Sequence, residues 1–432
     1  MATQAQAPRG GTVSDTGFAP YLFAHAAWFL AFGVQVVLFP YLVRVVLHES
    51  PMRFGLAQMS LQLPTTLLIL FGGALADRVD ARRIVTVACA LAVTIFLGLG
   101  VLVTSGHVTY GLMIAYALVV GTMGAFAMPA RDSLLSLVAP DRGPGSLQGA
   151  VAFASLAQFG GQILGMVCAA ATPLLGVSAL LFGQAGLMVA ATAATLRIRP
   201  RPRMARMATA DSRSVVARLV SDIGGGFQAV AASPVMTAVT ISATAMGVCF
   251  MGSFAVLLPM IVQSYFPETG AGHATRIASA LSLFSLCFWT GSMISALVLM
   301  RAGPRLRHKE RAYLLALALG SLVLMTCSLH TPFWMLCAQN FAWGLCGGVA
   351  MTLGRGLIQS HAPESVRARV LSVFNLGLMG GGPLGAVADG ALAQAIGPRA
   401  AVLIPAVLML VLVGIIVSLT RLGRDVDVAI PA

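Results

Sequence analysis

Apolar residues in this chain gather into twelve runs separated by shorter polar stretches. They lie at about positions 18–46, 54–76, 84–105, 108–128, 147–171, 174–196, 235–263, 277–300, 312–330, 333–353, 368–395 and 399–420. None of them alternates with period two, so the pattern predicts helices. About 20 apolar residues cross the hydrocarbon core of a bilayer. Lipid offers the backbone no hydrogen-bond partners, so each spanning segment must satisfy its own N–H and C=O groups, as a helix does. The expectation is an all-α integral membrane fold of twelve transmembrane helices in two six-helix bundles.

The polar breaks set the expected domains. Residues 1–17 are polar and read as a disordered cytoplasmic tail. The run after them is too long for a signal-peptide core and reads as an uncleaved first span. The one long polar break, 197–234, divides an N-terminal bundle at 18–196 from a C-terminal bundle at 235–420, with a second tail at 421–432. The break opens with RIRPRPRMARMATADSR and then sets Val216, Leu219, Val220, Ile223 and Phe227 at helical spacing. That spacing suits a short amphipathic helix on the membrane surface, and a solvated tether would serve equally. An internal repeat fits two related bundles. PARDSLLSLVAPDR (129–142) and TLGRGLIQSHAPES (352–365) align Pro140 with Pro363 at an offset of 223. GGQILG (160–165) and GGGPLG (380–385) align at an offset of 220.

Composition agrees with lipid as the solvent. Hydrophobic residues make up 58% of the chain and charged ones 9%, against about 25% charged in soluble proteins. A soluble fold of this chain would expose large bare apolar patches. A net charge of +13 raises the possibility of nucleic acid, since basic patches bind phosphate. Position excludes it. Of 27 basic residues, 23 fall in the tails, the linker and the loops on its side, leaving Arg44, Arg53, Arg276 and Arg399 on the other. The positive-inside rule then puts both termini in the cytoplasm of a multi-pass inner-membrane protein. All seven cysteines lie inside apolar runs and none has a metal-ligand spacing, which suits packing and excludes a disulfide scaffold.

The chemistry-bearing motif follows the second run: Gly72-Gly73-Ala74-Leu75-Ala76-Asp77-Arg78-Val79-Asp80-Ala81-Arg82-Arg83. Small residues let helices approach closely, and the charges fall at the membrane edge. This block resembles the G-x-x-x-D-R-x-G-R-R/K signature of the major facilitator superfamily, with Gly73, Asp77, Arg78 and Arg82 on motif positions and Asp80 where the second glycine usually stands. The runs 50–78 and 364–399 are similar to the enterobactin-exporter-like, transmembrane secretion effector branch. The resemblance implies alternating access between two six-helix halves. It also implies a latch in which Asp77 and its arginines, Arg83 included, meet the start of the eleventh helix near Arg369 and Ser372. Two departures weaken the inference of proton antiport. Gly161-Gln162-Ile163-Leu164-Gly165 lacks the proline of the helix-five antiporter motif, and 115–124 in helix four has no arginine.

Ionisable groups at membrane depth are candidate sites. Asp389 is the acid within a predicted span. It lies 14 residues beyond Asn375 and nearly on its face, as a proton or cation site or as a solvated residue at the external mouth. His25 reads as a proton relay or as a hydrogen-bonded structural residue. Arg131 and Asp132, closing helix four, read as an inner-surface gate or anchor. Cavity candidates are Gln35, Tyr116, Gln158, Gln162, Phe250, Trp289, Gln339, Asn340, Trp343 and Asn375, with Met246 and Met251 as adaptable surface. The expected activity is export of a small amphipathic molecule, a siderophore or drug-like compound, driven by the proton gradient, by a monomer in the lipid bilayer without metal or cofactor. An uptake carrier or facilitator is the alternative within the class. An integral-membrane enzyme would need a nucleophile with its base or a cluster of acids and histidines, and the sequence has none. A transporter-like sensor would lack any appended signalling domain.

Overall fold

Capping residues and prolines set where the apolar runs begin and bend. The computed structural model describes residues 17–139, 146–199, 224–266, 273–302, 306, 308–364 and 366–419. Its long helices are α1 Phe18–Val46, α2 Pro51–Arg78, α3 Ala81–Thr104, α4 Tyr110–Val138, α5 Ser146–Ala170 and α6 Val177–Arg197. After a short helix at 224–231 come α7 Pro234–Gln263, α8 His273–Ala302, α9 Lys309–Thr326, α10 Phe333–His361, α11 Arg367–Ile396 and α12 Pro398–Leu419. Of the five apolar positions expected to form an amphipathic linker helix, Phe227 is described and exposed. Val216, Leu219, Val220 and Ile223 lie outside the described residues.

Side chains start several helices at the predicted breaks. Ser50 accepts the amide of Arg53 at the head of α2, and Thr109 that of Leu112 at the head of α4. Asp80, the departure from the family signature, accepts the Arg82 amide at 3.0 Å and caps α3. A carboxylate there satisfies a free N–H and faces the positive end of the helix dipole. Near the end of α1, Pro40 is followed by a π-turn at Leu42–Val46, and α7 carries its own π-turn at Gly247–Met251. In α1, Pro40 lacks the N–H the helix ladder needs, and the wider turn re-forms the bonding.

Among the described residues, ten helices are long and apolar enough to cross a bilayer. Helix α2 spends its polar residues on other helices: Gln58 donates to Ala255 O, Thr65 to Gly121 O and Thr66 to Met379 O. Helix α9 starts at Lys309-Glu310-Arg311 in a surface loop.

The same contacts occur twice. Gly161 and Gly165 of α5 lie against the backbone of Ala26 and Leu30 in α1; Gly381 and Gly385 of α11 lie against Thr244 and Val248 in α7. Gly121 of α4 meets Leu61 O in α2, and Gly344 of α10 meets Phe288 O in α8. These glycines are separated by the sequence offsets, 220 and 223. A Cβ at any of them would come within 2.0–2.7 Å of backbone atoms, so the close crossings depend on small residues, as helix packing in lipid commonly does.

The two sets of helices meet through α2 with α11 and through α5 with α8. Their mutual hydrogen bonds, among the described residues, gather toward the end opposite the linker. Met52 N donates to Gln394 Oε1, Gln58 to Ala255 O, Thr66 to Met379 O, and Ser279 of α8 to Ala170 O of α5. At the rim Arg44 and Gln263 bond in both directions, Nε to Oε1 at 3.3 Å and Nε2 to the Arg44 carbonyl at 3.5 Å. Thr66 lies 15 residues along α2 from Pro51, about 22 Å at 1.5 Å per residue.

Candidate functional site

Asp389 sits in the seam. It is 2% exposed, although only seven residues from the outer end of α11. This corrects the reading of a solvated mouth residue: α7 and α2 pack over that level of the helix. Ser253 Oγ donates to Asp389 Oδ2 at 3.2 Å. A Cβ on Gly252 would stand 2.9 Å from the same oxygen, so the glycine makes room for the carboxylate. Cys249 is the other titratable group near it on α7. On the α2 side, Gly55 and Gly390 pack Cα to backbone. No salt bridge reaches Asp389 among the described residues.

The signature loop divides its arginines. Arg82 donates from Nε to Thr195 O at 3.1 Å and from Nη2 to Leu196 O, tying the start of α3 to the carbonyl end of α6. Arg83 is exposed beside it. Gly73 has open space around its Cα. The side chains of Asp77 and Arg78 lie outside the described set. Arg369, at the head of α11, packs against Gly225 and Gly226 of the 224–231 helix.

Arg131 is the largest of the fully buried side chains, at 1% exposure. The expectation of an inner-surface gate fails for it, and the anchor remains. Its guanidinium lies 3.8 Å from the centre of the Trp28 ring and Nη2 reaches Cys89 Sγ at 3.9 Å. Tyr21 donates to its carbonyl and lies 3.4 Å from His25 Nδ1. Arg131 Nε and Nη1 have no partner among the described residues. Asp132 points the other way and is exposed, within electrostatic reach of Arg355 on α10. His25, 6% exposed, stacks on Tyr21.

The cavity candidates separate. Tyr116 donates to Gln35 Oε1 at 2.5 Å inside the first bundle, and Gln162 is buried against α1. Asn340 is fully buried and donates to Phe284 O at 2.6 Å; Gln339 donates to Thr326 O at 3.3 Å. Both amides therefore brace α10 against α8 and α9, correcting their assignment to the cavity. In lipid a polar side chain takes the nearest carbonyl of a neighbouring helix. Gln158 and Asn375 are half-buried. Phe250, Trp289 and Trp343 belong to one aromatic cluster with Phe254 and Phe288, at centroid distances of 4.7–6.4 Å. The indole N–H groups of Trp289 and Trp343 are buried and have no partner among the described residues. Sequence reasoning missed Phe254, Phe288, Ser253 and Thr66. A serine or threonine inside an apolar run was the signal available for the last two.

Repeated helix bundles that meet at a polar seam are the architecture of a membrane transporter. The chain belongs to the transmembrane secretion effector family of the major facilitator superfamily, whose sequence model matches residues 24–429. No curated protein matches it in sequence. Among solved structures it is similar to the nucleoside transporter NupG, at 15% identity with a TM-score of 0.75 over 95% of this chain and 100% of that one. A bacterial homologue of the human lysosomal transporter Spinster, inward-facing and occupied, matches at 14% and 0.68 over 95% and 98%. The peptide transporter POT, an E310Q mutant in complex with sulfate, matches at 16% and 0.68 over 96% of each. At these identities the likeness is one of fold.

Proposed function

We propose that this protein exports a small amphipathic molecule across the cell inner membrane by alternating access, coupled to proton entry through Asp389. The observation that carries the reading is the buried carboxylate in the seam: Asp389 lies among hydrogen bonds that, within the described residues, join the halves over about 22 Å from the end opposite the linker. With the linker and both termini in the cytoplasm, as the arginine distribution favours, that joined end faces the periplasm. Outward opening breaks the α2–α11 and α5–α8 contacts and exposes Asp389 to the periplasm.

The roles follow from position. Asp389 takes up a proton when the outer seam is open and carries it in when the seam closes. Asp77 and Arg78 latch the inner end against the head of α11 in the outward-facing state. The partly exposed aromatic cluster of α7, α8 and α10, with two unpaired indole donors, supports an aromatic or otherwise apolar substrate that carries hydrogen-bond acceptors. The chain acts as a monomeric carrier, since its own two halves supply the seam, and it needs no cofactor beyond the proton gradient. Its family and structural neighbours are transporters, which favours a carrier over an enzyme.

Purified protein in liposomes, with a pH gradient imposed and a panel of siderophores and drug-like compounds, tests the proposal. Counterflow of protons and one amphipathic compound, abolished by Asp77→Ala at equal protein level, is the expected result. Flux in the same direction as the protons would make the chain an uptake carrier. Equal flux without a gradient would remove the coupling.

A further inference from the structure

A second feature lies on the lipid side of the first bundle. Helices α2, α3 and α4 enclose a groove of about 500 Å³ near the linker end, within the range of small-molecule sites. Its walls are apolar, with Leu75 and Val79 from α2, Val87 and Leu91 from α3, and Val119 and Phe126 from α4. Val87 is 65% exposed in the chain alone. Among the described residues, the cation lining it is Arg83, in the third position of α3.

Arg82 and Arg83 are adjacent in sequence and differ in employment. Arg82 is bound to the carbonyls at the end of α6. The Arg83 guanidinium has no hydrogen-bond or ion-pair partner among the described residues, and it stands at the mouth of an apolar slot. From Arg83 to Leu91 is eight residues of α3, about 12 Å at 1.5 Å per residue. One leaflet contributes about 15 Å of the roughly 30 Å hydrocarbon core. The slot thus follows an acyl chain through most of one leaflet and sets a positive charge at headgroup level. Long cationic side chains at a helix end reach outward to that level.

We infer that this groove binds one anionic phospholipid of the leaflet on the linker side, with an acyl chain between α3 and α4 and the headgroup phosphate on Arg83. The chemistry of the occupant follows from the two parts together. Apolar walls alone would take any acyl chain, whereas an unpaired guanidinium at the rim favours a lipid with net negative charge. Phosphatidylglycerol is the probe.

Native mass spectrometry of the full chain, released from detergent after incubation with equal amounts of phosphatidylglycerol and phosphatidylcholine, tests this. The wild type should retain one phosphatidylglycerol in preference to phosphatidylcholine. Arg83→Gln should reduce that preference about fivefold while a lipid is still retained. Val87→Trp, at a position facing lipid, should fill the slot and reduce retention of both lipids. Arg53→Gln, at the opposite end, should change neither. An unchanged preference in Arg83→Gln, equal retention of both lipids by the wild type, or full retention by Val87→Trp would each overturn the assignment.

Discussion

Adding one methyl group at Gly55 should unlock the outer seam without weakening either half. A Cβ at Gly55 would stand 2.4 Å from Ala386 O and 3.1 Å from Gly390 Cα. Both are backbone atoms of α11, so no rotamer change relieves the contact. Reaching even the 3.0 Å floor for such contacts requires α2 and α11 to part by about 0.6 Å, and overpacking of this kind costs about 1–3 kcal/mol. The penalty exists where the seam is closed and vanishes where it is open. A ligand-free equilibrium therefore shifts toward the outward-open state by about 5- to 150-fold. A population about 99:1 closed would move to between about 95:5 and 40:60.

The control is Gly33→Ala, whose Cβ would meet Gln162 O at 2.1 Å inside the first bundle. That clash is present in both states, so it should lower thermal stability and leave the equilibrium unchanged. Spin labels at Leu175 and Leu329, exposed near the outer ends of the two halves, in a variant lacking the seven native cysteines, report the separation by pulsed electron resonance. Gly55→Ala should enrich the long-distance population. An unchanged distribution, or an equal change in Gly33→Ala, would refute the argument that this glycine contact holds the seam.

Three further outcomes are expected. Asp389→Asn keeps an acceptor for Ser253 and removes the titrating proton, so transport should lose its pH dependence; a pH profile identical to wild type would remove Asp389 as the coupling group. Arg131→Met replaces a buried cation whose Nε and Nη1 have no partner among the described residues and should leave the thermal midpoint in detergent unchanged or raised. Trp28→Ala, which strands that cation, should lower it, consistent with a cation–π contact worth about 2 kcal/mol when desolvated; the opposite order would show that Arg131 is paired in solution. Arg82→Ala frees the last carbonyls of α6 and should destabilise the protein by about 1 kcal/mol, with Lys restoring part of the loss, read by the same thermal unfolding.

The family signature was legible because its charges sit at a membrane edge, where few residues other than Asp77, Arg78, Arg82 and Arg83 break the apolar pattern. Even there, the separate tasks of Arg82 and Arg83 depend on where the end of α6 lies, more than 100 residues away in the chain. Asn340 and Gln339 looked like cavity residues because hydropathy cannot tell a polar group facing water from one facing a helix carbonyl.

By itself the sequence determined the solvent, the helical class, the repeat and the family, since each rests on local periodicity, residue charge or offset. Helix-forming apolar runs follow from the backbone's need for partners in lipid, and the 220 and 223 offsets reappear as duplicated glycine contacts. Tertiary structure alone decided that Asp389 is buried beside Ser253 and that Arg131 lies on Trp28. Those facts are set by contacts between residues far apart in the chain: burial is a property of what packs over a side chain, and neither periodicity nor spacing records it.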